Sequence, residues 1–414
     1  MGNITLKRWR TLCYVQAFFS LEAFSAPILI MFYTSYAGFT FEQYSAIIAL
    51  IFIFLWILEI PAGALADQYG RKRALIAGNG VYLSAMVCLV MQGHSVPGWL
   101  IALLFAFGGS LSGGTFQSMM FDAYASAGRN EDFHTVNARA TSISLISGAG
   151  AAILGGAMAA RSLAFPMYAD IGILALLTII FCFLLQEPKI ARSSRSSLRP
   201  GFSSIVRQGL GEIFSSKELF AGIAIVALVF SCLRAGFNFY QPLLQASGIS
   251  YEAMGWLFAG FACLSSFVAY VFSHMSKSVL SSNLPWMVFV ALFAVSAIAM
   301  MISGEAVSTG NILVAIICHQ IARGIHPSYS AYLINLGIPV GSESRTTTLS
   351  AASLVRALFC AAFIWLSGLL SDAANFANGF SFLSGGTALL IFVIAFLKAK
   401  RHRHAVSSVP PTGN

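Results

Sequence analysis

Glu22, Arg234, Arg323 and Arg356 are ionisable residues that fall inside apolar runs long enough to cross a bilayer. A charge near the bilayer centre costs roughly 2.5–3.5 kcal/mol on insertion scales, so such residues face protein or water and mark paths for solutes, ions or protons. Glu22 lies near the middle of the first run, five residues before Pro27, where a helix break frees backbone groups beside a cavity. It is the leading candidate to carry a proton or another cation. Glu59, just before Pro61 in the second run, is the second proton-coupling candidate, with a structural role at a helix end as its alternative. Arg234, Asn238 and Gln241 are spaced i, i+4 and i+7, which puts them on one face of a helix. His319, Arg323, His326 and Ser330 form a similar stripe, and Ser353 with Arg356 a shorter one. Guanidinium groups hold carboxylates or phosphates through parallel hydrogen bonds. The expected solute-binding set is therefore Arg234, Asn238, Gln241, His319, Arg323, His326 and Arg356, and the solute it suggests is anionic, zwitterionic or amphiphilic. Imidazoles titrate near physiological pH, so His319 and His326 would relay protonation to Arg323 unless they are hydrogen-bonded packing residues. Together these residues predict a central path, acidic in the N-terminal half and basic in the C-terminal half.

The elements that must position these residues follow from composition. The 414 residues are 57% hydrophobic and only 9% charged, too few charges to coat a water-soluble globule. Twelve apolar runs fall in two sets of six, the first run spanning Leu12 to Tyr33 and the last Gly379 to Leu397. A spanning helix takes about 20 residues, so the expected fold is an all-α membrane protein with twelve transmembrane helices in two pseudo-symmetric six-helix bundles. The N-terminal bundle covers residues 1–186, a cytoplasmic linker 187–217, the C-terminal bundle 218–397 and a basic cytoplasmic tail 398–414. With the N-terminus inside, the expected inner loops and tails carry 20 of the 24 Lys and Arg residues and the outer loops only Arg161. Short basic loops resist translocation, which places both termini in the cytoplasm. The seven cysteines lie in or beside apolar runs without a CxxC pair, and neither a metal site nor a cofactor is expected. The net charge of +9 is distributed in short runs between apolar stretches, a topology signal rather than a nucleic-acid surface.

Between the second and third runs the chain reads Gly63-Ala-Leu-Ala-Asp67-Gln-Tyr-Gly70-Arg71-Lys72-Arg73. This segment resembles the signature loop of the major facilitator superfamily and occupies the corresponding loop of a six-plus-six chain. The two glycines would permit close backbone approach and a tight turn. The resemblance implies that Asp67 and Arg71, with Asp122 at the inner end of the fourth run, form a cytoplasmic charge network that latches the two halves in the outward-facing state. Gly63 and Gly70 complete the expected latch.

The fifth run departs from the antiporter pattern: Ala151-Ala152-Ile153-Leu154-Gly155-Gly156 stands where many drug antiporters have Gly-Pro-x-x-Gly-Gly. Gly148, Ala152, Gly156 and Ala160 nevertheless form a small-residue stripe suited to close helix packing. No arginine occurs in the fourth run, where many proton-coupled exporters carry one. The resemblance implies a secondary transporter of the drug or metabolite efflux-like branch, working by alternating access in the cytoplasmic (inner) membrane. Proton-coupled export of a drug, siderophore or related metabolite is the expected activity, and proton-coupled import of an organic anion, peptide or nutrient its alternative. The expected partners are a small-molecule solute, protons and the lipid bilayer, with the protein acting as a monomer. The sequence has no Gly-x-Ser-x-Gly, HExxH or P-loop element, so neither an enzyme nor direct use of ATP is expected.

Overall fold

The structure, a computed structural model, describes residues 3–19, 22–187, 211, 217–275, 279, 282–302, 308–337, 345–373 and 376–407. The described residues form helices and their connections, with no strand among them. The first half contains α1 (Asn3–Phe18), α2 (Phe41–Tyr69), α3 (Arg71–Gln92), α4 (Gly98–Ser112), α5 (Thr115–Ser126), α6 (Asn130–Ala159) and α7 (Ala164–Leu184). The second contains α8 (Lys217–Ala246), α9 (Tyr251–Ser273), α10 (Leu284–Ile302), α11 (Thr309–Gly337), α12 (Arg345–Ala373) and α13 (Phe376–Ser407).

Local chemistry sets several of these ends. α2 opens with a reciprocal capping box in which Gln43 N donates to Thr40 Oγ1 at 3.1 Å and Thr40 N donates to Gln43 Oε1 at 2.9 Å. It stops at Gly70, whose φ of 98° turns the chain directly into α3. The fourth apolar run divides into α4 and α5 at Gly113 and Gly114, the latter with φ of 70°.

Among the described residues, ten stretches are long and apolar enough to cross a membrane. Neither α11 nor the first apolar run is among them. α11 carries Asn311, His319, Gln320, Arg323 and His326, which dilute its apolar character. The first run is a broken helix, with the break on the N-terminal side of Pro27. α1 ends at Phe18, residues 22–28 turn, one helical turn covers Leu29–Met31, and a π-helical turn covers Phe32–Tyr36. Pro27 has no N–H, and its ring opposes helix in the residues before it.

The chain divides into two compact units, one of Met1–Arg199 with Leu244–Cys263 and one of Pro200–Leu243 with Leu264–Asn414. Trp9, Met119, Met120, Tyr124 and Phe181 lie in a core of the first unit. Cys232, Phe289, Phe293, Tyr329 and Ile391 lie in a core of the second. The linker expected at 187–217 falls mostly on 188–210 and 212–216, outside the described residues, as does the end of the expected tail, 408–414.

The first half of α9 groups with the first unit, and the small-residue stripe accounts for its close approach. A Cβ on Gly255 would lie 2.6 Å from the Ala152 carbonyl oxygen, and one on Gly156 2.6 Å from that of Tyr251. Gly148, in the same stripe, has nothing within 4 Å of where a Cβ would stand.

Candidate functional site: a broken helix with two carboxylates

The break in the first run places Glu22 and its backbone. Glu22 is half-buried with φ of 55°, the left-handed conformation that side chains with a Cβ rarely adopt. Its carbonyl accepts from Ala26 N at 3.1 Å. Its carboxylate Oε1 accepts a 2.6 Å hydrogen bond from the hydroxyl of Tyr82 on α3. The Tyr82 ring stands edge-on to Phe105 of α4, with centroids 4.9 Å apart, which fixes the hydroxyl opposite Glu22.

A second carboxylate takes up the freed backbone donors. Asp170 of α7 is 1% exposed and accepts Phe24 N at 3.2 Å on Oδ1 and Ser25 N at 2.9 Å on Oδ2. An unwound segment within a membrane must satisfy its own amides, and Asp170 does so for two of them. On the other side, a Cβ added to Gly155 of α6 would collide with the Phe24 carbonyl oxygen. Asp170 and Gly155 thus hold the break from two helices. Asp170 is absent from the candidates drawn from sequence, although it is an acid inside the apolar run Pro166–Leu185 and meets the criterion that selects Glu22. Tyr82 has no such signal, because its role appears only when α3 packs beside the break. Glu59 is exposed and hydrogen-bonded by none of the described residues.

The expected latch residues converge, apart from Gly63. Arg71 is ion-paired with Asp122, donates from Nη1 to Ser118 Oγ at 3.1 Å, and lies 3.9 Å from Asp67. Its backbone N donates to Glu187 Oε1 at 2.8 Å, and Gly70 leaves room for that carboxylate. Gly63 has nothing within 4 Å of where a Cβ would stand, so the expectation that it serves close backbone approach is corrected.

The second unit holds its polar stripes on unbroken helices. On α8, Asn238 and Gln241 are fully buried, and Arg234 donates from Nη1 to Asn238 Oδ1 at 3.3 Å while lying 5.6 Å from the Phe237 ring centroid. Arg356 of α12 stands 5.1 Å over Phe230, a cation–π contact. The Phe230 ring also packs against His326, with centroids 5.8 Å apart, so Arg356 and His326 of the expected set share one aromatic neighbour. The α11 stripe divides: His319, His326 and Ser330 are buried, whereas Arg323 is exposed. His319 lies among Tyr240, Phe293 and Phe380, with Nε2 at 3.0 Å from Ser384 Oγ. His326 Nε2 is 3.3 Å from the Val226 carbonyl. Both imidazoles therefore make the packing contacts weighed against the relay to Arg323. Glu22 belongs to the first unit and the three arginines to the second.

Among the described residues the chain is helical, with a discontinuous first run and ionisable groups held inside each unit, the architecture of a polytopic membrane protein. A family model described as Major Facilitator Superfamily matches residues 11–364, and the chain belongs to that superfamily. An uncharacterised MFS-type transporter, YxaM, of Bacillus subtilis (strain 168) is 23% identical over 242 residues; the match covers 58% of this chain and 59% of YxaM, so it spans little more than half of that relative. Among solved structures, a mutant of the nucleoside transporter NupG superposes with a TM-score of 0.76 at 12% identity, over 94% of this chain and 98% of that one. A bacterial homologue of the human lysosomal transporter Spinster gives 0.66 at 14% identity, over 94% of each chain. A D-xylose–proton symporter gives 0.64 at 12% identity, over 95% and 97%. These likenesses establish the fold.

Proposed function

We propose that this protein is a proton-coupled secondary transporter of a small organic solute, and that Glu22 carries the coupling proton. The observation that carries the reading is the position of Glu22: a carboxylate on the broken stretch of a membrane-spanning run, facing the Tyr82 hydroxyl at 2.6 Å. Deprotonated, Glu22 accepts this hydrogen bond; protonated, it loses the charge that strengthens the contact. A group that changes its local bonding with each proton biases an equilibrium between conformations open to opposite sides of the membrane. The Arg71–Asp122–Asp67 cluster acts in this scheme as a conformational latch, and the basic inner loops orient the chain in the cytoplasmic membrane with both termini inside.

Export of an amphiphilic or anionic compound is the first reading of direction and cargo, resting on the three intramembrane arginines. Import is the second, favoured by Ala152 in place of the antiporter proline. Reconstituted vesicles with a pH gradient imposed in either direction test both readings. With wild-type protein, solute movement should follow the gradient, and its sign relative to proton flux separates antiport from symport. Glu22→Gln should abolish gradient-driven accumulation while retaining solute exchange at equal pH. Accumulation by Glu22→Gln equal to wild type would remove Glu22 from the coupling step.

A further inference from the structure

The first unit contains a cavity of about 490 Å³, within the size range of small-molecule sites. Four helices each turn one carboxamide to its wall: Gln16 of α1, Asn79 of α3, Gln117 of α5 and Asn137 of α6. None of the described residues hydrogen-bonds these four side chains, and Asn79 is only 5% exposed. A buried carboxamide without a partner is costly; Asn79 is one, and with the half-buried Gln16 and Asn137 and the exposed Gln117 converging on the same space, the wall offers a ligand a set of donors and acceptors. Ser112 and Thr141, also on the wall, already donate to carbonyls of their own helices, at 2.9 Å to Gly108 and 3.0 Å to Asn137, and so offer lone pairs inward. The lining also includes Phe116 and Phe181, stacked with centroids 5.3 Å apart. No Asp, Glu, Lys, Arg or His side chain among the described residues lines the cavity.

We propose that this cavity binds an uncharged, planar heterocycle with hydrogen-bond donors and acceptors alternating along its edge, the chemistry of a nucleobase or a similar lactam. Each carboxamide presents donors beside an acceptor, which matches an N–H next to a C=O or a ring nitrogen on such an edge. The phenyl rings supply the apolar surface that a flat ring requires. A carboxylate or phosphate entering this space would lose its hydration without meeting a cation. A polyol would satisfy the carboxamides but leave the aromatic wall against hydroxyl groups. The assignment rests on the carrier reading above but departs from its anionic cargo: Arg234, Arg323 and Arg356 belong to the second unit and none of them lines this cavity, so the solute it takes is uncharged.

Equilibrium binding to the full-length protein in detergent, with no gradient present, tests the site separately from proton coupling. The probes are uracil and hypoxanthine, with xylose as the polyol and benzoate as the planar anion. Saturable binding of at least one heterocycle, with neither xylose nor benzoate competing, is expected. Gln117 is exposed and Asn137 half-buried, so Gln117→Leu and Asn137→Leu should fold, as checked by thermal melting. Each should weaken heterocycle binding about three- to tenfold, the loss of one neutral hydrogen bond. Glu22→Gln should bind the heterocycle while failing to accumulate it; binding that persists as accumulation becomes independent of Glu22 would overturn the coupling proposal alone. Failure of both heterocycles to bind melting-competent wild-type protein, preferential binding of xylose or benzoate, or heterocycle binding unchanged in both variants would overturn the cavity assignment.

Discussion

The first unit breaks a helix where it holds Glu22, and the second holds Arg234, His319 and Arg356 on continuous helices. Pro27 breaks the run that carries Glu22, whereas Asp170 shows that an acid can also sit on an unbroken helix, so the local backbone and not the charge accounts for the difference. Glu22 is short and reaches the Tyr82 hydroxyl from a turn, and the turn exposes amides that Asp170 must accept. Arginine is long and carries a delocalised planar charge, so it bridges to Asn238 or lies over Phe230 and Phe237 without disturbing its helix. The polar groups of the first unit are therefore tied to backbone geometry, and those of the second to ring packing. Backbone held in an unusual conformation depends on every contact that fixes it, so the first unit should be the more sensitive to single substitutions.

The largest expected effect is at Asp170. Asp170→Ala leaves the Phe24 and Ser25 amides without their acceptor, at about 1–3 kcal/mol for each unsatisfied buried donor, or roughly 4 kcal/mol together. Asp170→Asn keeps one acceptor oxygen and should lose about half as much. Thermal melting in detergent checks both, and equal melting of wild type and Asp170→Ala would show that the break does not depend on this clamp. Gly155→Ala comes next. Its Cβ meets the Phe24 carbonyl, and because backbone yields less than a side chain, about 3 kcal/mol is expected, the upper part of the overpacking range. Gly236→Ala is the matched change in the second unit: its Cβ would lie 2.6 Å from the His319 ring, and a shift of that ring should limit the cost to about 1–2 kcal/mol. A Gly236→Ala loss exceeding that of Gly155→Ala would reverse the proposed contrast.

Much of the helical plan was legible because apolar run length and loop charge are one-dimensional properties. The cluster of Asp67, Arg71 and Asp122 was legible too, since Asp67 and Arg71 are neighbours on the chain and Asp122 ends the expected fourth run. The residues that complete the Glu22 site were harder. Pro27 marked a break, but its extent depends on Asp170, 146 residues beyond Phe24, and on Gly155, which reads in sequence as one more small residue beside a packing stripe. The carboxamides of Gln16, Asn79, Gln117 and Asn137 share no spacing, because each comes from a different helix. Helical periodicity placed His319 and Arg323 on one stripe, yet one is buried and the other exposed. An offset of about 40° per four residues and a long side chain are enough to separate them.

The smallest expected effect is at Ser384. Its hydroxyl is 3.0 Å from His319 Nε2, and Ser384→Ala would leave that nitrogen facing a methyl group. The cost should be about 1 kcal/mol, the net worth of a neutral hydrogen bond, because the Tyr240, Phe293 and Phe380 rings still hold the imidazole. His319→Phe combined with Ser384→Ala should then cost less than the two single changes together, since the double variant leaves no polar atom seeking a partner. Melting curves for the four proteins close this cycle. A Ser384→Ala loss comparable to that of Asp170→Ala would mean that the second unit also rests on a polar clamp, and that ring packing alone does not set the position of its buried histidine.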